Sequence, residues 1–168
     1  RRWSTRHYLG GSTSYGSLDR LHLVSSLFGR LRRRIDPHAK AYARSLHYDL
    51  AGRSLAMTDC WANVMPAGVV HSLHLHPTSF ISGTYYVEVP KGAGDLKFED
   101  PRLGLHMATP PRRADAPKSF HSFVSLPAKA GDVLLFESWL RHEVPPARFS
   151  GERISISFNY GWATKARR

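Results

Sequence analysis

Apolar residues in the first third of the chain are spaced as in a helix. They recur at intervals of three and four residues, at Leu21, Leu23, Val24, Leu27, Phe28 and Leu31. This spacing predicts a helix that begins near Ser17 and buries one apolar stripe. Asp36 and Pro37 predict the start of a second helix, with Asp36 as N-cap and Pro37 in the first turn, where a missing N–H costs nothing. Residues 1–53 are therefore expected to form a helical N-terminal part.

From residue 54 onward, the pattern changes to short apolar or alternating runs that are separated by glycine and proline. Seven runs predict strands, at residues 54–65, 69–76, 80–89, 95–98, 120–126, 133–136 and 153–159. Strands without intervening helices favour an antiparallel sandwich or barrel over residues 54–164, with the helices packed outside. Residues 101–119 contain four prolines and no apolar periodicity, which predicts a loop or lid.

Length and composition limit the class of protein. The chain has 168 residues, of which 42% are hydrophobic and 22% charged, and this fits one domain over residues 1–168. No apolar run approaches the roughly 18 residues of a membrane-spanning helix. We therefore expect a soluble, cytoplasmic protein without membrane contact. Cys60 is the only cysteine, so the chain cannot form an internal disulfide.

The formal net charge of +11 is unevenly distributed. Residues 1–34 hold eight arginines and one aspartate, and residues 165–168 hold three further basic residues. The 130 residues between them carry 13 basic and 12 acidic groups. A strongly basic chain suggests a nucleic-acid partner, but confinement of the charge to the two ends disfavours one here. A non-enzymatic basic protein with a structural zinc ion is the least favoured alternative.

Histidines in a predicted strand suggest a metal site. His74 and His76 are two residues apart, so both side chains should project from the same face of the strand. These two imidazoles provide half of a metal site. His142, which follows the apolar run 133–136, is the candidate for a third ligand. His71 has the opposite parity and is predicted to lie behind the ligands or at the surface.

The run 153–159 alternates strictly between polar and apolar residues. Its apolar face requires burial, and its polar face, which begins with Arg153, should line the interior. A buried arginine is costly unless it meets an anion, and its planar fork suits a carboxylate. A metal site next to a carboxylate receptor implies a small acidic ligand that contacts both.

Four motifs occur in a fixed order: His-x-His-Pro at 74–77, Ser-Gly-x-Tyr-Tyr at 82–86, Asp-Pro-Arg at 100–102 and Arg-x-Ser-x-Ser-Phe-Asn at 153–159. This order resembles the Fe(II)- and 2-oxoglutarate-dependent dioxygenases of the prolyl-hydroxylase-like class, and within it a bacterial group of oxygenases. The resemblance extends from about Trp61 to Asn159. It implies a mainly β, double-stranded β-helix, which is a cupin-like jelly roll. It also implies hydroxylation of a small-molecule or peptide substrate by dioxygen, coupled to oxidative decarboxylation of 2-oxoglutarate.

The resemblance further implies roles for individual residues. Arg153 would bind the far carboxylate of 2-oxoglutarate, with Ser155 beside it. Tyr86 would donate a hydrogen bond to the same carboxylate. Asn63 is a weaker candidate for the inner end of the cosubstrate. His74 and His142 would be metal ligands.

His76 departs from the pattern of the class, which usually has Asp or Glu at this position because two histidines and one carboxylate hold the iron. Three alternatives follow. His76 is the third ligand, a carboxylate such as Asp59 or Glu137 completes the site, or the position is vacant as in some halogenating relatives. Three histidines would also suit zinc, nickel or copper, or a cupin-type dioxygenase that acts without 2-oxoglutarate.

Overall fold

The structure is a computed structural model and describes residues 9–50 and 52–163. These residues form two helices, α1 (Leu21–Val24) and α2 (Ser26–Ser45). They also form nine strands: β1 (Ser12–Thr13), β2 (Leu55–Pro66), β3 (His71–His74), β4 (Ile81–Glu88), β5 (Leu96–Glu99), β6 (Phe123–Leu126), β7 (Val133–Glu137), β8 (His142–Val144) and β9 (Glu152–Trp162). Within the described ranges, neither helix combines the length and the apolar character that crossing a membrane requires.

Two antiparallel sheets form a double-stranded β-helix, which confirms the predicted fold class. The larger sheet has the strand order β1-β2-β9-β4-β7 and the smaller one the order β3-β8-β5-β6. β9 pairs with both β2 and β4, so its polar face is flanked by side chains from two other strands. The helices pack outside the larger sheet, as the sequence predicts.

The prediction of a second helix start at Asp36 is wrong, because α2 continues through Pro37 without a break. The buried face of α2 includes Ile35, Ala39 and Ala43, which are spaced by one turn and belong to the core shared with the larger sheet. This common face holds the helix together on both sides of the proline. Asp36 is not an N-cap, since its carboxylate accepts a 2.8 Å hydrogen bond from the Tyr160 hydroxyl.

The predicted apolar stripe of the first helix is only partly confirmed, since Leu21, Phe28 and Leu31 pack in the core but the other residues of the stripe do not. Leu23, Val24 and Leu27 are 60–65% exposed, whereas Leu21 is buried. The reason is an interruption at Ser25, whose extended backbone (φ −132°, ψ 127°) separates α1 from α2. The helical spacing of apolar residues therefore does not continue from α1 into α2. The N-terminal part predicted as helical also contains β1, and its last helix ends at Ser45.

The strand predictions differ from the structure mainly at the ends. β3 stops at His74, β9 continues to Trp162, and β8 lies in a segment without a predicted strand. Residues 101–119 contain one complete 3-10 helix, Leu103–Leu105, and the start of another, Lys118–Phe120. Their role as a lid stays a prediction. The basic residues at the chain ends lie partly in residues 1–8 and 164–168, outside the described residues.

Candidate active site

A β-bulge in β3 brings four histidines to one place. His71 pairs with Val144 and His74 pairs with His142, so three steps along β3 match two along β8. This offset turns His71 toward the same side as His74, and the two rings stack at 4.4 Å. The prediction that His71 has the wrong parity for the interior is therefore wrong, because simple alternation ends at a bulge. His71 lines the same cavity as the proposed ligands.

His74, His76 and His142 form a cluster with the spacing of a metal site. One ring nitrogen from each lies within 4.8 Å of the others. The Nε2 atoms of His76 and His142 are 3.3 Å apart. Three converging imidazoles are a donor set that first-row transition metals accept.

Hydrogen bonds fix which nitrogen of two rings faces the cluster. His74 Nδ1 donates to the Ser72 carbonyl at 2.7 Å, and His142 Nδ1 donates to the Leu140 carbonyl at 2.9 Å. A carbonyl can only accept, so each Nε2 keeps its lone pair for a metal. The main-chain N–H of His76 donates to the Ser138 carbonyl at 3.0 Å and anchors the third ring. Such contacts orient the ligands of metal sites.

Burial keeps these imidazoles neutral. It lowers the pKa of His76 to about 3 and that of His142 to about 4, with neighbouring histidines adding to the effect. Burial also lowers the pKa of His74, against the opposing hydrogen bond to Ser72. A metal competes with protons for the imidazole lone pair, so neutral rings are ready to bind one.

The alternative carboxylate ligands lie elsewhere. Asp59 accepts a 2.6 Å hydrogen bond from the Thr58 hydroxyl, and Glu137 accepts one of 2.8 Å from the Tyr48 hydroxyl. Across residues 9–50 and 52–163, neither carboxylate joins the histidine cluster. His76 instead contributes the third ring nitrogen of the cluster.

Arg153 and Tyr86 place two unsatisfied donors next to each other. Arg153 is 3% exposed and Tyr86 is 1% exposed. The guanidinium carbon lies 5.1 Å from the centre of the tyrosine ring, and Nη1 contacts Met65 Sδ at 3.5 Å. Arg153 Nε and the Tyr86 hydroxyl are buried and have no hydrogen-bond partner in the described part of the chain. Burial raises the pKa of Tyr86, so the hydroxyl keeps its proton. Unpaired buried donors are costly unless a ligand accepts from them.

Ser155 and Asn63 lie in the same region. Ser155 pairs with Asn63 on β2 and with Tyr86 on β4, and it is buried. The Asn63 amide oxygen accepts from the Thr13 hydroxyl at 2.8 Å, while its nitrogen donates to Ser157 Oγ at 3.0 Å. The amide of Asn63 is thus satisfied within the protein.

Two connected chambers surround these groups. The inner chamber contains Arg153, Ser155 and the four histidines, and its apolar walls come from Met65, Leu96, Phe136 and Val144. Arg153 provides the one fixed charge among the described residues of its lining. The outer chamber, of about 290 Å³, shares Trp61 and the histidines of β3 with the inner one. The metal cluster and the guanidinium therefore border the same chamber.

Solved structures with the same fold include several oxygenases. They include HygX from Streptomyces hygroscopicus with nickel and 2-oxoglutarate bound (17% identity, TM-score 0.62, 92% of this chain and 70% of that one). A Pseudomonas putida prolyl-4-hydroxylase matches with 18% identity and a TM-score of 0.59, over 92% of this chain and 73% of that one. A 2OG-Fe(II) oxygenase family oxidoreductase from Burkholderia pseudomallei matches with 16% identity and a TM-score of 0.54, over 84% of this chain. This chain spans only 55% of that protein. At these identities the likeness concerns the fold alone.

Sequence comparison identifies the family. No curated protein matches the chain. Residues 59–159 match the family model described as "Putative 2OG-Fe(II) oxygenase". The matched segment covers more than half of the chain and extends from β2 to β9, so that it includes every proposed metal ligand and Arg153. The chain therefore belongs to this family of 2OG-Fe(II) oxygenases.

Proposed function

We propose that the protein is an Fe(II)-dependent oxygenase that couples oxidative decarboxylation of 2-oxoglutarate to hydroxylation of a small-molecule or peptide substrate. The main support is the presence, in one cavity, of three neutral imidazoles and a buried guanidinium without an acidic partner among the described residues. Family membership and the 2-oxoglutarate bound to HygX agree with this proposal.

In this proposal, His74, His76 and His142 hold the iron. Bound Fe(II) supplies the redox chemistry by which dioxygen converts 2-oxoglutarate to succinate and carbon dioxide and hydroxylates the substrate. The carbonyls of Ser72 and Leu140 keep two of the rings in the tautomer that presents Nε2.

Arg153 binds the far carboxylate of 2-oxoglutarate through its planar fork, and the Tyr86 hydroxyl donates a further hydrogen bond. Arg153 Nε and the Tyr86 hydroxyl are buried donors without an acceptor among the described residues, so a carboxylate would satisfy them together. Ser155 lies beside this carboxylate. Asn63 borders the inner, keto-acid end, where its amide, held by Thr13 and Ser157, supports the wall of the chamber.

Apolar side chains exclude water from this region. The ring of Phe136 lies 4.6 Å from that of His142, and Phe98 packs behind it at 5.0 Å. Leu96 and Val144 complete the wall. A dry environment strengthens the interaction of the guanidinium with a carboxylate.

Calorimetric titration of Mn²⁺-loaded protein with 2-oxoglutarate tests the cosubstrate site. We expect wild type to bind and Arg153→Ala to bind at least about 30-fold more weakly, because a charge-assisted, bidentate contact is lost. Tyr86→Phe, which loses one neutral donor, should bind about fivefold more weakly.

Arg30→Ala is the matched control, since Arg30 is exposed on α2, outside the larger sheet. This variant should bind 2-oxoglutarate as wild type does. Equal binding by wild type and Arg153→Ala would contradict the cosubstrate assignment. Absence of binding by wild type would favour a three-histidine dioxygenase that acts without 2-oxoglutarate.

A further inference from the structure

The outer chamber has a lining that selects for uncharged molecules. Among the described residues that form it, none is Asp, Glu, Lys or Arg. Under the proposed function, the dianion of 2-oxoglutarate compensates the charge of the bound Fe(II). A charged group that enters this chamber would then lose hydration without gaining an ionic partner among the side chains that line it.

Apolar and aromatic side chains form the mouth of the chamber. Tyr15 is 42% exposed and Leu75 is 40% exposed, and Pro77 is exposed beside them. The rings of Tyr15 and Trp61 lie 5.0 Å apart at an angle of 57°, which gives the wall two differently oriented faces. Exposed apolar groups around a cavity favour a flat or ring-shaped ligand.

Asn159 provides a hydrogen-bond donor in the wall of this chamber. Its amide oxygen accepts from Ser82 Oγ at 2.8 Å. The single proton of the Ser82 hydroxyl is used in this hydrogen bond. The Ser138 hydroxyl, whose Oγ lies 2.8 Å from Ser82 Oγ, therefore donates to Ser82. The amide nitrogen of Asn159 has no protein partner among the described residues.

The same chain of hydrogen bonds fixes Asn159 relative to the metal cluster. The main-chain carbonyl of Ser138 also accepts a hydrogen bond from the main-chain N–H of His76. Ser82 and Ser138 are at most 1% exposed, so water does not compete for these contacts. A group held by the Asn159 nitrogen would therefore lie at a defined place beside a proposed metal ligand.

We infer that the outer chamber binds an uncharged, ring-bearing molecule with a hydrogen-bond acceptor, and that Asn159 Nδ2 donates to this acceptor. The inference deepens the proposed function, on which it rests, because it assigns the chamber to the substrate. Asn159 is thereby a specificity-determining residue, and Ser82 and Ser138 are positioning residues.

Three probes of one shape test the inference: benzamide, benzoate and benzylammonium. Their binding to protein loaded with Mn²⁺ and 2-oxoglutarate is measured by ligand-observed NMR. We expect benzamide to bind at least about tenfold more tightly than either charged probe. Benzoate or benzylammonium binding as tightly as benzamide would overturn the inferred substrate class.

Variants test the donor. Asn159→Asp keeps the oxygen that accepts from Ser82 but replaces the donor, so we expect it to bind benzamide about tenfold more weakly. Asn159→Leu should lose as much affinity without adding a charge. Thr58→Val is the control, because the Thr58 hydroxyl donates to Asp59, approaches Asn159 only at its main-chain oxygen, at 3.3 Å, and lies outside the chamber wall. Unchanged benzamide binding in both Asn159 variants would overturn the role of Asn159.

Failure of the proposed function gives a different result. Binding of 2-oxoglutarate is measured on the same samples, and we expect both Asn159 variants to retain it. If the wild type binds benzamide but not 2-oxoglutarate, the result contradicts the proposed function and retains the role of Asn159 as a hydrogen-bond donor. A wild type that binds 2-oxoglutarate but none of the probes would overturn this inference alone.

Discussion

At the scale of single residues, His76 changes the charge of the site. With three neutral imidazoles, Fe(II) and the dianion of 2-oxoglutarate sum to zero, whereas a carboxylate ligand would leave one negative charge. Arg153 adds the one fixed positive charge among the described residues that line the inner chamber. The protein therefore offers a dianionic acid a site with no competing negative charge.

Metal content separates the roles of two buried histidines. His76→Ala removes a proposed ligand, and we expect about 100-fold weaker binding of Fe(II) under anaerobic conditions. His71→Ala removes a neighbouring imidazole that stacks on His74 without belonging to the three-nitrogen cluster. This second variant should still bind about one metal ion per chain. Elemental analysis after reconstitution measures both. Full metal content in His76→Ala would contradict its role as a ligand.

The position of His71 was not predictable from the alternation of side chains along the strand. Parity along a strand correctly predicts that the alternating side chains of Arg153 and Ser155 lie on one side. It fails for His71, because the bulge between His71 and His74 shifts the register by one residue. A bulge depends on how β3 and β8 pair, and the sequence of β3 alone contains no signal for it.

At the scale of elements, β9 organises the site. Its position between β2 and β4 surrounds its polar face with side chains from both neighbours. The strict alternation of its sequence made this strand predictable. The helices were less predictable. Local sequence rules place a helix start at Pro37 and a buried face at Leu27, but tertiary packing keeps Pro37 inside α2 and leaves Leu27 exposed. The shared buried face of α2 is a tertiary property.

Gly83 keeps β4 close to β9. A Cβ at this position would lie 2.6 Å from the Phe158 ring and 2.7 Å from the Leu134 carbonyl oxygen. We expect Gly83→Ala to lower the free energy of unfolding by about 3 kcal/mol, because a buried ring and a main-chain atom would both have to move. In Gly104→Ala, no atom lies within 4 Å of the new Cβ, so the free energy of unfolding should change by less than about 0.5 kcal/mol. Urea denaturation compares the two variants. Equal stability would show that β4 is not tightly packed against its neighbouring strands at Gly83.

At the scale of the whole molecule, buried histidines link stability to pH. Five described histidines have a lowered pKa: His22, His71, His74, His76 and His142. Burial is the first cause for each. In the unfolded chain these rings take up protons near pH 6.5, while in the folded chain they stay neutral to lower pH. Below about pH 6.5, the unfolded state therefore binds more protons than the folded state, and the free energy of unfolding decreases as the pH falls.

We expect the Tm of the metal-free protein to fall steadily from pH 6.5 to pH 4.5. Each buried histidine contributes at most about 1.4 kcal/mol per pH unit in this window. Differential scanning calorimetry in the presence of a chelator measures the slope. His22→Gln, which removes a buried imidazole outside the site, should reduce the slope. A Tm that is constant over this range would contradict the burial of neutral histidines.

Under the proposed function, a three-histidine centre beside Arg153 consumes 2-oxoglutarate. The amount of succinate is measured when protein reconstituted with Fe(II) reacts with isotopically labelled 2-oxoglutarate and dioxygen, with ascorbate present to reduce the oxygen atom that a substrate would otherwise take up. We predict succinate and carbon dioxide in equal amounts, and loss of both products in His74→Ala and Arg153→Ala. Oxygen consumption by the wild-type protein without succinate formation would contradict the account.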